Sequence, residues 1–225
     1  MSNYKKLMTD QQLKEKVLDI ATNFKTCYLY GGTGQLVTNA IIDQKSKQLP
    51  SWYTSARITV LKKLVGNGYY GFDCVNLIKA ILWGWEDGKM GKYASNTVPD
   101  TNANGFINLC EDVSTDMTNI KPMELIWFSG HVGLYLGNGE CVECAPSLNK
   151  VAITKLTYQN KWCKHGKLPW LTYTEDVKRK LELTTPYMRG DDVKKLQQLM
   201  GVTPDGIYGP STDNKVKEIL SAIGM

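Results

Sequence analysis

The stretch Gly71-Phe72-Asp73-Cys74-Val75-Asn76-Leu77-Ile78-Lys79-Ala80-Ile81 reads as a turn that feeds a helix with a cysteine in its first turn. Asp73 is a preferred N-cap residue, because its carboxylate accepts the unpaired N–H groups of a first turn, so Cys74 is expected at the first helical position. The partial positive charge at a helix N-terminus favours a thiolate over a thiol, and the thiolate is the form that attacks carbonyl carbon. Leu77, Ile78, Ile81 and Leu82 follow Cys74 at helical spacing, which predicts burial along the side that presents the sulfur. Taken alone, a free cysteine is more often a small core residue than a nucleophile.

A second segment changes that balance. In Ser129-Gly130-His131-Val132-Gly133-Leu134-Tyr135-Leu136-Gly137-Asn138-Gly139, one of the chain's two histidines opens an apolar run that closes in a turn. A histidine at a strand start can be held against a thiol from another element, as a cysteine–histidine nucleophile pair requires. Leu136-Gly137-Asn138-Gly139-Glu140 has hairpin chemistry, because Asn and Gly accept positive φ at little cost. Antiparallel pairing with residues 140–145 then brings Glu143 or a near neighbour alongside His131. A carboxylate there fixes the imidazole tautomer and stabilises the imidazolium. The competing reading of Glu143 is a surface strand residue.

The rest of the chain divides by pattern. Leu13, Val17, Ile20 and Phe24 behind a Thr9-Asp10 cap predict a helix over 9–24. Cys27 to Gly34 is an aromatic piece ending in glycines, without the spacing or lysine of a phosphate loop. Leu36 to Ile42 and Ile58 to Leu64 read as helices around a Pro50 turn, and the Cys74 helix should end between Gly84 and Gly88. Residues 89–119 read as loop with short helix. From Leu125 onward, short apolar runs at 125–128, 132–136, 141–145 and 151–153, bounded by Gly, Asn or Pro, predict antiparallel strands. Helices first and strands later make an α+β domain.

Composition narrows the function. The 225 residues suffice for one large domain and a small one. No run is long and apolar enough to span a bilayer, and the first residues lack a signal-peptide core, so a chain made in the cytosol, without membrane insertion, is expected. Synthesis in a reducing compartment argues that the six cysteines stay free thiols. The net charge is +5, and residues 184–225 carry five basic and five acidic side chains, so the excess belongs to residues 1–183. No zinc-finger, helix-turn-helix or RNA-binding signature accompanies it, and nucleic acid is not an expected partner. Cys141, Cys144, Cys163 and His165 superficially suggest zinc, but the spacing fits no usual finger or ribbon, and in a strand Cys141 and Cys144 point to opposite faces. No metal or cofactor is expected.

Three segments carry a family resemblance: Tyr28-Leu29-Tyr30-Gly31-Gly32, Asp73-Cys74-Val75-Asn76-Leu77 and His131-Val132-Gly133-Leu134-Tyr135-Leu136-Gly137. They resemble the motifs of the NlpC/p-sixty family of papain-like cysteine peptidases, which cleave the peptide stems of bacterial peptidoglycan. The resemblance implies a papain-like α+β fold with Cys74 as nucleophile, His131 as base, and Tyr28 as an oxyanion or substrate contact. It departs at Val75-Asn76, where the family usually has Ser-Gly, at Glu143, where a histidine is common and a glutamate is similar to the related CHAP amidases, and at Pro122-Met123-Glu124 in place of Pro-Gly-Asp. Residues 33–70 form an insertion between the glycine turn and Cys74.

The C-terminal end carries a second resemblance. Arg189-Gly190-Asp191-Asp192-Val193-Lys194-Lys195-Leu196-Gln197 and Asp205-Gly206-Ile207-Tyr208-Gly209-Pro210-Ser211-Thr212 read as a capped helix, a glycine-rich loop and a second helix from Pro210. They resemble the type-one peptidoglycan-binding domain, which implies a small three-helix unit with Arg189, Asp192, Asp205 and Tyr208 as wall-binding candidates. The alternative is a helical appendage that stabilises the catalytic part. The expected layout is a catalytic domain over 1–172, a linker over 173–183 and a wall binder over 184–225. Together with the lack of a signal peptide, it is similar to that of phage endolysins. The resemblance implies cleavage between the γ-carboxyl of D-glutamate and the diamino acid. A muramoyl-alanine amidase, a transferase using the same acyl-enzyme and a non-catalytic wall binder are the alternatives.

Overall fold

The computed structural model describes residues 4–174 and 180–224. The chain forms two compact units, 1–176 and 177–225. Of the expected linker, residues 175–179 lie outside the described residues. Tyr173 and Thr174 pack into the first unit: the Tyr173 hydroxyl accepts from Leu168 N–H (2.8 Å) and donates to Met123 O (3.2 Å), and Thr174 donates twice to the Asp10 carboxylate.

The first unit opens with strand β1 (Met8–Thr9) and helix α1 (Asp10–Asn23). Thr9 and Gln12 cap the helix reciprocally: the Thr9 hydroxyl accepts from Gln12 N–H (3.1 Å), and Gln12 Oε1 accepts from Thr9 N–H (2.8 Å). Strands β2 (Thr26–Tyr28) and β3 (Thr33–Leu36), helices α2 (Asn39–Gln48) and α3 (Ser55–Lys62), and strand β4 (Tyr70–Phe72) follow. Leu36, expected in a helix, ends β3 and pairs with Tyr70, because the helix begins only where Thr38 accepts the Ile41 N–H (3.2 Å). Helix α4 (Cys74–Leu82) comes next and ends before Gly84, whose φ of +98° suits glycine. Residues 89–119 contain the short helix α5 (Ala103–Ile107) and strand β5 (Glu111–Ser114).

Strands β6 (Leu125–Phe128), β7 (His131–Gly137), β8 (Glu140–Ala145), β9 (Lys150–Lys155) and β10 (Lys164–Lys167) join β5 in one antiparallel sheet of order β5-β10-β6-β7-β8-β9. The β7–β8 turn is the expected Gly-Asn-Gly hairpin, with φ of +93°, +53° and +74° at Gly137, Asn138 and Gly139. Strand β11 (Leu171–Thr172) runs parallel to β1. The first unit is thus α+β.

All nine residues of α4 are buried, between α1 and the β7–β8 face of the sheet. Leu77, Ile78 and Ile81 share one core with Leu13, Val17 and Ile20 of α1 and with Val132, Leu134 and Val142 of the sheet. A helix buried all round has no solvent face for Lys79, which is 2% exposed. Its ammonium instead binds the Asp100 carboxylate and Thr101 O (2.8 Å), since a buried charge needs such partners. The insertion packs Val37, Ile42, Tyr53 and Leu61 against Cys27 and Leu29 in a second, smaller core.

The second unit holds strand β12 (Met188–Arg189), helix α6 (Asp191–Leu199), strand β13 (Ile207–Tyr208) and helix α7 (Pro210–Ala222). Among the described residues it has two helices and an antiparallel strand pair, not the three helices expected. Residues 180–187 are non-helical, and a proline at 186 disfavours helix in the residue before it. Buried Gln197 ties the unit together. Its Nε2 donates to Asp205 Oδ1 (2.8 Å), Thr212 Oγ1 (2.9 Å) and Ile207 O (3.1 Å), and its Oε1 accepts the Gly206 N–H (2.8 Å). Gln197→Ala strands these groups and is expected to lower the stability of this unit by about 2 kcal/mol, read as lost hydrogen-exchange protection at the Gly206 amide. Unchanged protection there would show that the network is not what holds the loop.

Candidate active site

Strands β2 and β4 run parallel with Tyr28 opposite Phe72, so the chain leaving β2 passes the start of α4. It turns at Gly31, φ +74°, and a Cβ at Gly32 would lie 2.7 Å from both Gly71 O and Leu29 O. Only glycine allows that approach. The turn delivers the Gly31 N–H to Asp73 Oδ2 (2.9 Å), while Asp73 Oδ1 accepts the Asn76 N–H (2.8 Å) and Oδ2 also accepts from Asn76 Nδ2 (2.7 Å). Asp73 is the N-cap, and Cys74 is the first helical residue. Burial raises the Asp73 carboxyl above the usual range, against the N–H bonds of Asn76 and Gly31 and the charge of Lys79.

The backbone N–H groups of Val132, Val75 and Cys74 itself act to lower the Cys74 thiol. Val132 follows His131 at the start of β7. The sequence predicts that the helix N-terminus favours a thiolate. In the folded chain burial dominates, followed by the charge of Asp73, and these push the thiol up to about 12 despite the three N–H groups.

His131 is 7% exposed and Glu143 1%. The register pairs Gly133 with Glu143, so Glu143 lies diagonally across the hairpin from His131 on the same face. His131 Nε2 and Glu143 Oε2 are 2.7 Å apart. Two residues that the sequence did not suggest complete the carboxylate's shell: Thr154 of β9 donates to Oε1 (2.7 Å), and Gln159 Nε2 donates to Oε2 (2.7 Å). Burial pushes the Glu143 carboxyl up, but the hydrogen bonds of His131, Thr154 and Gln159 outweigh it and hold the carboxyl below its usual range. Phe128 and Trp162 pack against the imidazole, with ring centroids 5.1 and 5.5 Å away.

Cys74 opens on a cleft of about 500 Å³ lined by Tyr28, Tyr30, Asp73, Asn76, Lys79 and Asp100, among others. Leu49, from the insertion, forms part of its wall, and Trp52 packs on Tyr28 at 5.5 Å. The Tyr28 hydroxyl is held neutral, far above the ordinary phenol value, by burial and then by Cys74 and Asp73.

The other histidine forms a second buried pair that the sequence did not suggest. His165 Nδ1 lies 2.6 Å from Glu124 Oε2, and its Nε2 lies 3.1 Å from Asp116 O. Of the zinc-like set, Cys141 contacts Thr154 Oγ1 (3.2 Å), Cys144 donates to Phe72 O (3.3 Å), and Cys163 is exposed. Among the described residues no group of three or more Cys, His, Asp or Glu is placed to hold a metal ion.

The wall-binding candidates lie in the second unit. Arg189 and Asp192 are exposed. Asp205 is spent on the loop, accepting from Gln197 and from the Ile207 N–H (2.8 Å). Tyr208 is 2% exposed and belongs to the unit's core rather than to a contact surface.

No family model matches the chain, and no curated protein matches it. Among solved structures it is similar to the peptidoglycan hydrolase RipB from Mycobacterium tuberculosis, at 21% identity and a TM-score of 0.44, over 73% of this chain and 67% of that one. The chemistry is therefore read from the residues of this chain.

A thiol held near 12 gives up its proton only as pH rises, so alkylation of Cys74 by iodoacetamide should accelerate about tenfold per pH unit above neutrality. Mass spectrometry of the Cys74 peptide reads the rate, and a plateau near neutrality would instead reveal a preformed thiolate. Glu143→Gln removes a carboxylate whose folded-state pKa is depressed. Its stabilisation is complete above the unfolded value of about 4.3 and is lost as pH falls through the lower folded value. The wild type should therefore exceed the variant in urea stability at neutral pH, and the gap should close in acid.

Proposed function

We propose that this protein is a peptidoglycan hydrolase whose first unit cleaves stem-peptide amides, between the γ-carboxyl of D-glutamate and the diamino acid, through a thioester on Cys74. What supports this reading is a helix-capping Asp73-Cys74 turn on a cleft whose lining extends to Gly130, the residue before His131, together with the buried His131–Glu143 pair. The assignment to peptidoglycan rests on the motif resemblances at both ends of the chain.

His131 Nε2 is committed to Glu143, which leaves Nδ1 as the nitrogen for the thiol proton. Because burial keeps Cys74 protonated, the proton passes to His131 as the sulfur attacks the carbonyl carbon. Glu143, held ionised, stabilises the imidazolium that forms. The oxyanion is met by the Cys74 backbone N–H and by the neutral Tyr28 hydroxyl. Protonated His131 then donates to the departing amine and the C–N bond breaks. Water, deprotonated by His131, hydrolyses the thioester and restores the thiol. A weak wall-binding second unit would raise the local concentration of cleavable bonds.

The test is incubation of the purified protein with sacculi in chelator and reductant, followed by mass spectrometry of the released fragments. Fragments cut after D-glutamate are expected, and Cys74→Ala should lower their release by at least about a thousandfold while sedimentation with walls persists. Intact stems freed from muramic acid would make the protein an amidase. Hydrolysis undiminished in Cys74→Ala would overturn the thiol mechanism.

A further inference from the structure

The cleft carries a charge that this mechanism does not use. Lys45, on helix α2 of the insertion, lays its side chain over the glycine turn: a Cβ at Gly31 would sit 3.4 Å from Lys45 Nζ and 3.3 Å from Leu49 Cδ1. Gly31 and Leu49 line the same cleft as Cys74, so the ammonium lies beside a residue of the cleft wall. The other charges of the wall are committed: Asp73 to Gly31 and Asn76, and Lys79 to Asp100 and Thr101 O. Among the described residues no hydrogen bond or ion pair holds the Lys45 ammonium. Its field nonetheless reaches into the cleft. Burial pushes the Asp100 carboxyl up, but the hydrogen bonds of Lys79 and Tyr93 and the charges of Lys79 and Lys45 hold it below the usual range.

We infer that Lys45 binds a substrate carboxylate on the acyl side of the scissile bond, the free α-carboxylate of a glutamate joined through its γ-carboxyl. This deepens the proposed function and rests on it. A γ-linked glutamate carries that carboxylate a short methylene arm from the carbonyl that Cys74 attacks, and Lys45 stands beside the wall of the same cleft. An uncommitted ammonium at a half-shielded position pairs with an anion and gains little from a neutral carboxamide. Lys45 is therefore a specificity-determining residue, which separates substrates with a free α-carboxyl from those in which it is amidated.

The experiment compares two synthetic stem peptides that differ only in carboxylate or carboxamide at the glutamate α-position, by kcat/KM with the full chain. The wild type should prefer the carboxylate by about tenfold. In Lys45→Gln the ratio should fall to about one, and Lys45→Arg should restore it. A ratio in Lys45→Gln equal to the wild-type ratio, or no preference in the wild type, overturns the assignment of Lys45 and leaves the hydrolase reading standing. Failure of the wild type to cut either peptide, while it frees stems from muramic acid, overturns the glutamyl-bond reading and this inference with it.

Discussion

The candidate site depends on one carboxylate. Asp73 accepts the N–H of Asn76 in the first turn of α4, the side-chain amide of Asn76 and, from a part of the chain more than forty residues earlier, the N–H of Gly31. Each bond constrains something different. The Asn76 N–H starts the helix and so aims Cys74, and the Gly31 N–H pins the glycine turn that carries Tyr28 and Tyr30 to the cleft. A buried carboxylate is costly, and the same burial that raises Asp73 also raises the thiol beside it. The arrangement gains rigidity and gives up thiolate.

That exchange determines how the site can work. A helix N-terminus lowers a thiol's pKa where water can also solvate the anion, but here the first turn of α4 is packed inside the unit, and desolvation outweighs three N–H groups. In the proposed mechanism the base therefore takes the proton during attack, so its orientation matters more than its resting charge. The protein spends its buried polar groups accordingly. Thr154 and Gln159 touch neither the thiol nor the cleft; they hold Glu143, which holds His131. Phe128 and Trp162 close the imidazole off from solvent on its apolar faces.

What could be read from the sequence was whatever local chemistry dictates. The Asp73 cap, the Thr9 cap and the Gly-Asn-Gly hairpin are each decided within a few residues, and each stands where the pattern placed it. The hairpin also brought Glu143 to His131, although diagonally, because the ladder sets Glu143 against Gly133. Partners supplied by distant segments were not legible. Gln159 lies on a loop, Thr154 reaches Glu143 only because β9 pairs with β8, and Glu124 finds His165 across the β6–β10 pairing. Lys79 illustrates the same limit: on an amphipathic helix it would mark the wet face, but α4 has none, and only the fold supplies Asp100. Among the described residues the expected third helix of the second unit is absent, and residues 180–187 lead non-helically into β12.

The chemistry and the selection of substrate also sit on different kinds of structure. Cys74, His131 and Glu143 are held by a buried helix and by central strands, where displacement of a side chain would have to disturb the core. The insertion packs into the second, smaller core, and it touches the site through Leu49, Trp52 and the position of Lys45 beside the cleft wall. Changes on the surface of α2 can therefore alter which anion the cleft favours without repacking the helix that carries the thiol. A neutral thiol makes such control more consequential. In the proposed mechanism attack and proton transfer occur together, so the rate would depend on how closely the carbonyl is held to Cys74 and His131, a distance that a contact on the acyl side would fix.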